Sequence, residues 1–457
     1  MKIKLKHLGP IKQAEFILGD FTIICGDNNA GKTYATYAWF GFLDIWREML
    51  ETEIQDKQMN TLLTDGVVQI DLQFYIDKAR EILQKGCQNY TKALPKVFSA
   101  SKEYFKKTQF QVLLDESEKL SVTASFERQM HGGNAKLFSL SKTENSTELV
   151  VSLLVDKEKI QFPSDVIKRV IAGAVNEIIF GRFFPNPFIA SAERTGAAIF
   201  RKELNFARNR LLKEVSQDDT KLDPMKLLFQ IYQDYALPVE RNVEFIRQLE
   251  TIAKESSFIA DKYPDVLENF ADIIGGEYLV TRNDELYFKP KGKQIKLTMD
   301  ESSSAVRSLL DIGFYLRHLA KTGDLLIVDE PELNLHPENQ RRIARLFARL
   351  VNLGVKVFIT THSDYIVKEL NTLIMLNHDK PYLKQIAEAE GYHTNELISA
   401  ENIKVYIAEE TLMKLDDKSR TLTAAHIDPE FGIEARTFDT TINDMNRIQE
   451  MIVWGGE

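Results

Sequence analysis

The chain has 457 residues, 44% of them hydrophobic and 27% charged, with a formal net charge of −9. The length predicts two or three subdomains or inserted lobes rather than one simple core, and the acidic balance excludes a surface coated in positive charge for nucleic acid. No run of 18 apolar residues could span a bilayer. With only Cys25 and Cys87, no disulfide framework is expected, and a cytoplasmic location is.

Residues 1–25 read as three short strands broken at Gly9-Pro10 and Gly19-Asp20. Met1 to Lys6 alternates like a strand and lacks the apolar centre of a signal peptide. The third strand, Phe21 to Cys25, runs into Gly26-Asp27-Asn28-Asn29-Ala30-Gly31-Lys32-Thr33, which fills the pattern G-x-x-x-x-G-K-[ST]. Glycines at both ends of such a loop let several N–H groups converge on phosphate oxygens, and the helix that follows adds its positive N-terminal end. Lys32 is placed to neutralise the β- and γ-phosphates, and Thr33 to offer its hydroxyl to Mg²⁺. ATP with Mg²⁺ is therefore the expected ligand. The eight histidines show no metal-ligand spacing, so zinc is not expected.

Helical patterns cover 34–60 and 75–106. Between 107 and 155 the text turns strand-like at 110–114, 120–124 and 149–153, with a turn signal at Gly132-Gly133-Asn134, and 164–184 returns to an amphipathic helix. Residues 197–275 read as almost wholly helical, with breaks near Leu237-Pro238 and Tyr263-Pro264, and no heptad repeat persists. Strands are expected near 277–298, a helix over 304–320, a strand over 325–328, a helix over 337–353 and a strand over 355–360. That last succession is the grammar of a parallel sheet covered by helices.

Asp329-Glu330 follows the apolar strand Leu325 to Val328 directly, which places two carboxylates at the C-terminal edge of the sheet. Asp329 would hold Mg²⁺, and Glu330 would polarise the attacking water as general base. Pro331-Glu332-Leu333-Asn334-Leu335-His336-Pro337 comes next, and Thr360-Thr361-His362-Ser363 ends the following strand. With these motifs the chain resembles the ABC/SMC-type ATPases, in the AAA branch that contains the overcoming-lysogenization-defect nucleases and related phage-defence ATPases. The resemblance covers residues 1–35, about 188–200 and 295–376. It implies an α/β fold with a parallel-sheet core, a mixed β lobe and a helical insertion, and it gives His362 the role of γ-phosphate sensor and His336 a place at a dimer interface.

Such a site is completed in trans by a signature segment at a helix start. The candidate here is Asp300-Glu301-Ser302-Ser303-Ser304-Ala305, although the family's glycines are missing; Ser302, Ser303 and Ser304 would face a phosphate or simply cap the helix. Ala192-Glu193-Arg194-Thr195-Gly196 resembles another motif of the branch, with Arg194 facing nucleotide or partner, or forming a buried ion pair. Arg201, Lys202, Arg208, Arg210 and Lys213 concentrate positive charge on one helix, compatible with nucleic-acid contact and with a solvated face.

After the Thr360–Ser363 motif the related nucleases carry a Glu and an Asp-x-Asp pair. Here the tail holds Asp416-Asp417 and scattered acids instead, and no catalytic constellation beyond the ATP site is read. The expected division is 1–196 for the first part of the ATPase domain, 197–275 for a helical insertion, and 276–457 for the second part. The resemblance implies an ATPase that forms homo-oligomers around ATP, without membrane contact, and acts as the sensing or regulatory subunit of an anti-phage system. By architecture it is similar to the ATPase subunits of Septu-type systems, whose effector is a separately encoded HNH nuclease. A chromosome-maintenance ATPase that clamps DNA, and an ATPase that sequesters a toxin, remain as alternatives.

Overall fold

The computed structural model describes residues 1–115, 120–132, 135–155, 163–200, 235–281, 285–414, 417–434 and 445–452. The basic cluster Arg201 to Lys213, Asn134 of the expected turn, and Asp416 lie outside the described residues. Two compact units are present, each discontinuous in sequence: one formed by residues 1–4, 42–94 and 108–185, the other by 5–41, 95–107 and 186–457.

The smaller unit contains a four-stranded antiparallel sheet in the order Val67–Asp71, Glu148–Leu153, Ala135–Lys142, Phe126–Gly132. Alternation in Val67–Asp71, where Val68 and Ile70 are buried and their neighbours exposed, is the period-2 signature of a sheet with one wet face. That strand was not expected from the sequence, and the strand expected over 120–124 is irregular chain. Helix Ser164–Phe180 forms as expected and buries Ile167, Ile171, Val175 and Ile179 at helical spacing. An aromatic cluster of Phe42, Trp46, Tyr90, Phe110 and Phe184 fills the unit, with centroid separations of 4.7–5.4 Å and mostly edge-on geometry.

The larger unit is organised by a sheet whose strands run in the order Ile11–Ile17, Asp417–Ala424, Ile403–Lys414, Phe21–Gly26, Lys356–Thr361, Leu325–Asp329, Pro187–Ala190. The last five of these pair in parallel. Phe21–Gly26 and Leu325–Asp329 are buried at every residue. Such continuous burial is what a parallel sheet shows when both its faces are covered. Registers fix the site: Asp329 lies opposite Thr360, Thr361 opposite Cys25, and Ala408 opposite Gly26. Phe21–Gly26, Leu325–Asp329 and Lys356–Thr361 therefore end at one edge, where open α/β sheets receive ligands, while Ile403–Lys414 runs on past it.

Helix Pro337–Asn352 starts on His336, whose side chain caps Glu338, with Pro337 in the first turn where its missing N–H is harmless. It buries Ile343, Leu346, Phe347 and Leu350. Truncating a fully buried phenylalanine such as Phe347 costs about 3–5 kcal/mol. The described part of the expected insertion, including helices Leu237–Arg247 and Pro264–Ile274, joins this same core through Val243, Ile246, Leu249, Phe270 and Ile273. The expected helix over 304–320 is instead broken into Ser304–Ser308, Leu310–Phe314 and a π-helical turn at Tyr315–Leu319. No described helix is long and apolar enough to cross a membrane.

Candidate nucleotide site

The loop Gly26–Thr33 leaves its strand at the sheet edge. Gly26 has φ +127°, and a Cβ there would stand 2.3 Å from the carbonyl oxygen of Ala408; Gly31 has φ +101°, and a Cβ there would meet Ile11 at 2.6 Å. At Gly26 any side chain would have to move the backbone of the neighbouring strand, and at Gly31 it would meet the Ile11 side chain in a left-handed conformation that favours glycine. Asp27, Asn28 and Asn29 face solvent, whereas Ala30, Gly31 and Lys32 are buried. Helix Lys32–Met49 begins inside the motif, so its first N–H groups point toward the loop.

Lys32 reaches back across the loop. Its Nζ donates to the carbonyls of Gly26 at 3.1 Å and Asp27 at 2.8 Å and stands 3.5 Å from His362 Nδ1. The other ring nitrogen of His362, Nε2, is 3.3 Å from Glu330 Oε1. A cation, an imidazole and a carboxylate thus stand in a row over the sheet edge. Burial pushes the Lys32 ammonium below its ordinary pKa, opposed by Glu330 and then Asp329. The hydrogen bond from His362, working against partial burial, holds Glu330 below the usual range.

Asp329 is fully buried, and burial lifts its carboxyl to about 6. One oxygen accepts from the Thr360 hydroxyl; the other, Oδ2, has no hydrogen-bond partner. An unpartnered carboxylate oxygen in a buried site is costly, and a divalent cation is the group that would satisfy it. Among the described residues no cluster of three or more His, Cys, Asp and Glu side chains is placed to hold a metal. The donor set fits a hard cation that takes one or two protein oxygens, Asp329 and Thr33, and the rest from phosphate and water.

Glu330 adopts φ +52°, a left-handed conformation unusual for a residue with a Cβ. Such a backbone costs on the order of 1–3 kcal/mol and persists only where its surroundings fix it. Here its N–H donates to the Thr360 carbonyl at 3.1 Å, and its carbonyl accepts from Arg194. Glu332, which the sequence reading quoted but gave no role, accepts the His362 N–H through Oε1 at 2.6 Å and so fixes the backbone at His362.

Arg194 is also fully buried, and it faces neither solvent nor the loop. Its Nε donates to Ser308 O at 2.6 Å, Nη1 to Ser191 O at 2.8 Å and Asp329 O at 2.6 Å, and Nη2 to Glu330 O at 2.9 Å. Of the roles weighed for it, contact with nucleotide or partner is replaced by backbone clamping. Neighbouring Glu193 accepts from the Tyr37 hydroxyl at 2.7 Å.

Two of the three serines have local partners. Ser302 Oγ donates to Thr298 O at 2.7 Å, Ser303 caps the short helix by accepting from the Val306 N–H, and Ser304 is the first residue of that helix. His336 is exposed and likewise serves as a helix cap.

Sequence reasoning missed the contribution of the C-terminal hairpin. Strand Ile403–Lys414 lies directly beside the loop strand, and Arg420 on Asp417–Ala424 donates to the carbonyl of Asn29, within the loop, at 2.6 Å. The available signal was the apolar alternation from Ile403 to Ile407, which marks the face of a strand but names no neighbour for it.

A family model described as an AAA ATPase domain matches residues 1–367. Among solved structures, an Smc head bound to the C-winged helix domain of ScpA matches at 11% identity over 93% of this chain and 97% of that one, with a TM-score of 0.34. An Smc head domain with an extended coiled coil, bound to the C-terminal domain of ScpA and derived from Pyrococcus furiosus, matches at 13% identity over 98% of both chains, TM-score 0.30. The SMC head domain from Thermotoga maritima matches at 11% identity over 93% of this chain and 98% of that one, TM-score 0.30. No curated protein matches the sequence.

Proposed function

We propose that this chain, which belongs to the family of AAA ATPase domains, hydrolyses ATP with Glu330 as general base and His362 as sensor of the γ-phosphate. The row Lys32–His362–Glu330 beside a buried, half-satisfied Asp329 carries the reading. Lys32 would leave its two loop carbonyls for the β- and γ-phosphates, exchanging neutral acceptors for charged ones. Mg²⁺ held by Asp329 and Thr33 would neutralise charge on the phosphates. Glu330 would orient a water and take its proton as the water oxygen bonds to the γ-phosphorus and the bond to the bridging oxygen breaks, releasing ADP and phosphate.

The test is Glu330→Gln, which keeps size and removes the base. ATP should still bind, while phosphate release falls on the order of 10²- to 10⁴-fold. Release at the wild-type rate would assign the base elsewhere.

We infer further that the ATPase works as a homo-oligomer closed around ATP and regulates a separately encoded nuclease in anti-phage defence, in the manner of Septu-type systems. Support comes from the motifs Asp329–Pro337 and Thr360–Ser363, which resemble that branch, and from the lack of an Asp-x-Asp pair in residues 364–457. Ser302, Ser303 and Ser304 would then approach the γ-phosphate of a partner subunit, with exposed His336 at the same interface. Co-purification with the product of the adjacent gene, followed by mass measurement with and without ATP, tests both the partner and the subunit count. A monomer under every nucleotide condition would refute the oligomer.

A further inference from the structure

The motif Ala192–Gly196 has no place in the chemistry above, yet it supplies the most deeply buried cation of the larger unit. Arg194 spends four hydrogen bonds on main-chain carbonyls from three separate elements: the end of strand Pro187–Ala190 through Ser191, the turn Asp329-Glu330, and the short helix Ser304–Ser308 through its last residue. A planar guanidinium with five donors in a fixed fork makes such a junction, and a lysine ammonium does not. Around it stand Asp311, Asp329, Glu332 and Glu330, in that order of electrostatic weight. Asp311 is buried on helix Leu310–Phe314 with neither carboxyl oxygen hydrogen-bonded, so it takes none of the Arg194 N–H groups away from the backbone carbonyls.

We propose that Arg194 is a positioning residue for hydrolysis: its guanidinium holds the Asp329-Glu330 turn in the left-handed geometry that aims the Glu330 carboxylate at water, and ties that turn to the end of the Ser304–Ser308 helix. The geometry explains why Glu330 keeps φ +52° without being glycine. Its carbonyl and that of Asp329 are both anchored by one rigid group, and its N–H is anchored by Thr360. Loosening the anchor frees the backbone to rotate and swings the carboxylate off line. The nucleotide-binding groups, Lys32 and the loop, are held by other partners and stay in place. The inference rests on the assignment of Glu330 as the base.

The experiment compares wild type, Arg194→Lys, Arg194→Ala and Glu330→Gln for ATP affinity, single-turnover phosphate release and melting. Arg194→Lys should bind ATP within about threefold of wild type and release phosphate on the order of 10- to 100-fold more slowly, since small misplacement of a reacting group has effects of that size. Arg194→Ala, if folded, should be slower still with affinity again retained. Wild-type hydrolysis in Arg194→Lys overturns the proposal, as does a parallel loss of affinity and rate. Failure of both Arg194 variants to fold would also overturn it, leaving the residue a purely structural role. The Glu330→Gln arm separates the premises: if that variant hydrolyses normally the base itself is misassigned, whereas an inactive Glu330→Gln with a fully active Arg194→Lys rejects only the positioning role.

Discussion

Arg420 donates a hydrogen bond to the carbonyl oxygen of Asn29, 391 residues earlier in the chain, at 2.6 Å. Asn29 is one of the exposed loop residues and has φ +58°. A charge-assisted bond to its carbonyl therefore holds the one non-glycine residue of the loop Gly26–Thr33 that has a positive φ. The bond comes from a strand beyond residue 367, where the family match ends. Arg420→Ala should weaken ATP binding by about 5- to 30-fold with little loss of folding, because an exposed bond to a charged donor contributes roughly 1–2 kcal/mol. Titration with a fluorescent nucleotide reads this, and an unchanged affinity would show that the loop holds its shape unaided.

Lys32→Ala should remove most ATP affinity while leaving the protein folded. In this structure the ammonium satisfies the carbonyls of Gly26 and Asp27, both of which other N–H groups or water could serve. No second mobile cation is placed inside the loop, so phosphate neutralisation depends on Lys32. Nucleotide affinity and a melting curve measured together decide it; a folded variant with wild-type affinity would reject the assignment of Gly26–Thr33 as the phosphate loop.

The placement of the loop and of the acid pair was legible because their pattern is local. Eight consecutive residues form the loop, and two consecutive acids end a strand, so short-range pattern was enough to place Gly26–Thr33, Asp329 and Glu330. The neighbour order was not legible. Nothing in the text of Ile403–Lys414 says that it slots between Phe21–Gly26 and a second tail strand, since an apolar alternation specifies a face but not a partner. The role of Arg194 was hidden for the same reason. Its four acceptors are backbone carbonyls at positions 191, 308, 329 and 330, and any sequence supplies carbonyls. The helix expected over 304–320 failed in a third way. Its apolar periodicity is continuous through Leu309 and Leu310, but Leu309 takes ψ near +5° and shifts the hydrogen-bonding register, a change that periodicity cannot register.

His362→Ala should slow hydrolysis and also move its pH dependence. The imidazole is the largest influence holding Glu330 below its ordinary pKa, and Lys32 acts in the same direction more weakly. A base works only when deprotonated, so removing His362 lets the Glu330 pKa rise and shifts the acid limb of the rate profile toward higher pH. Phosphate release measured from pH 5 to 9 at saturating ATP gives the answer. A reduced rate with an unmoved acid limb would mean that His362 acts on the nucleotide without touching Glu330.

Asp329 binds its proton more tightly in the folded protein than in the unfolded chain, because burial raises its pKa from 3.8 to about 6. By linkage its contribution favours folding below pH 4 and is lost as pH rises through 6, so at pH 7.5 the ionised, half-satisfied carboxylate opposes folding. Asp329→Asn keeps an acceptor for Thr360 and removes the charge. In buffer free of divalent metal at pH 7.5 this variant should therefore melt above wild type, by on the order of 2 °C for a chain of this size. Adding Mg²⁺ with ATP should reverse the order, since the wild-type carboxylate gains the cation that satisfies Oδ2 and the amide does not. The wild-type gain should shrink as pH falls below 6, where protons compete for the same oxygen. Melting curves at pH 5.5 and 7.5, with and without MgATP, cover all four states. A variant less stable than wild type without metal, or one that keeps the full MgATP-dependent rise, would show that Asp329 is not the cation ligand.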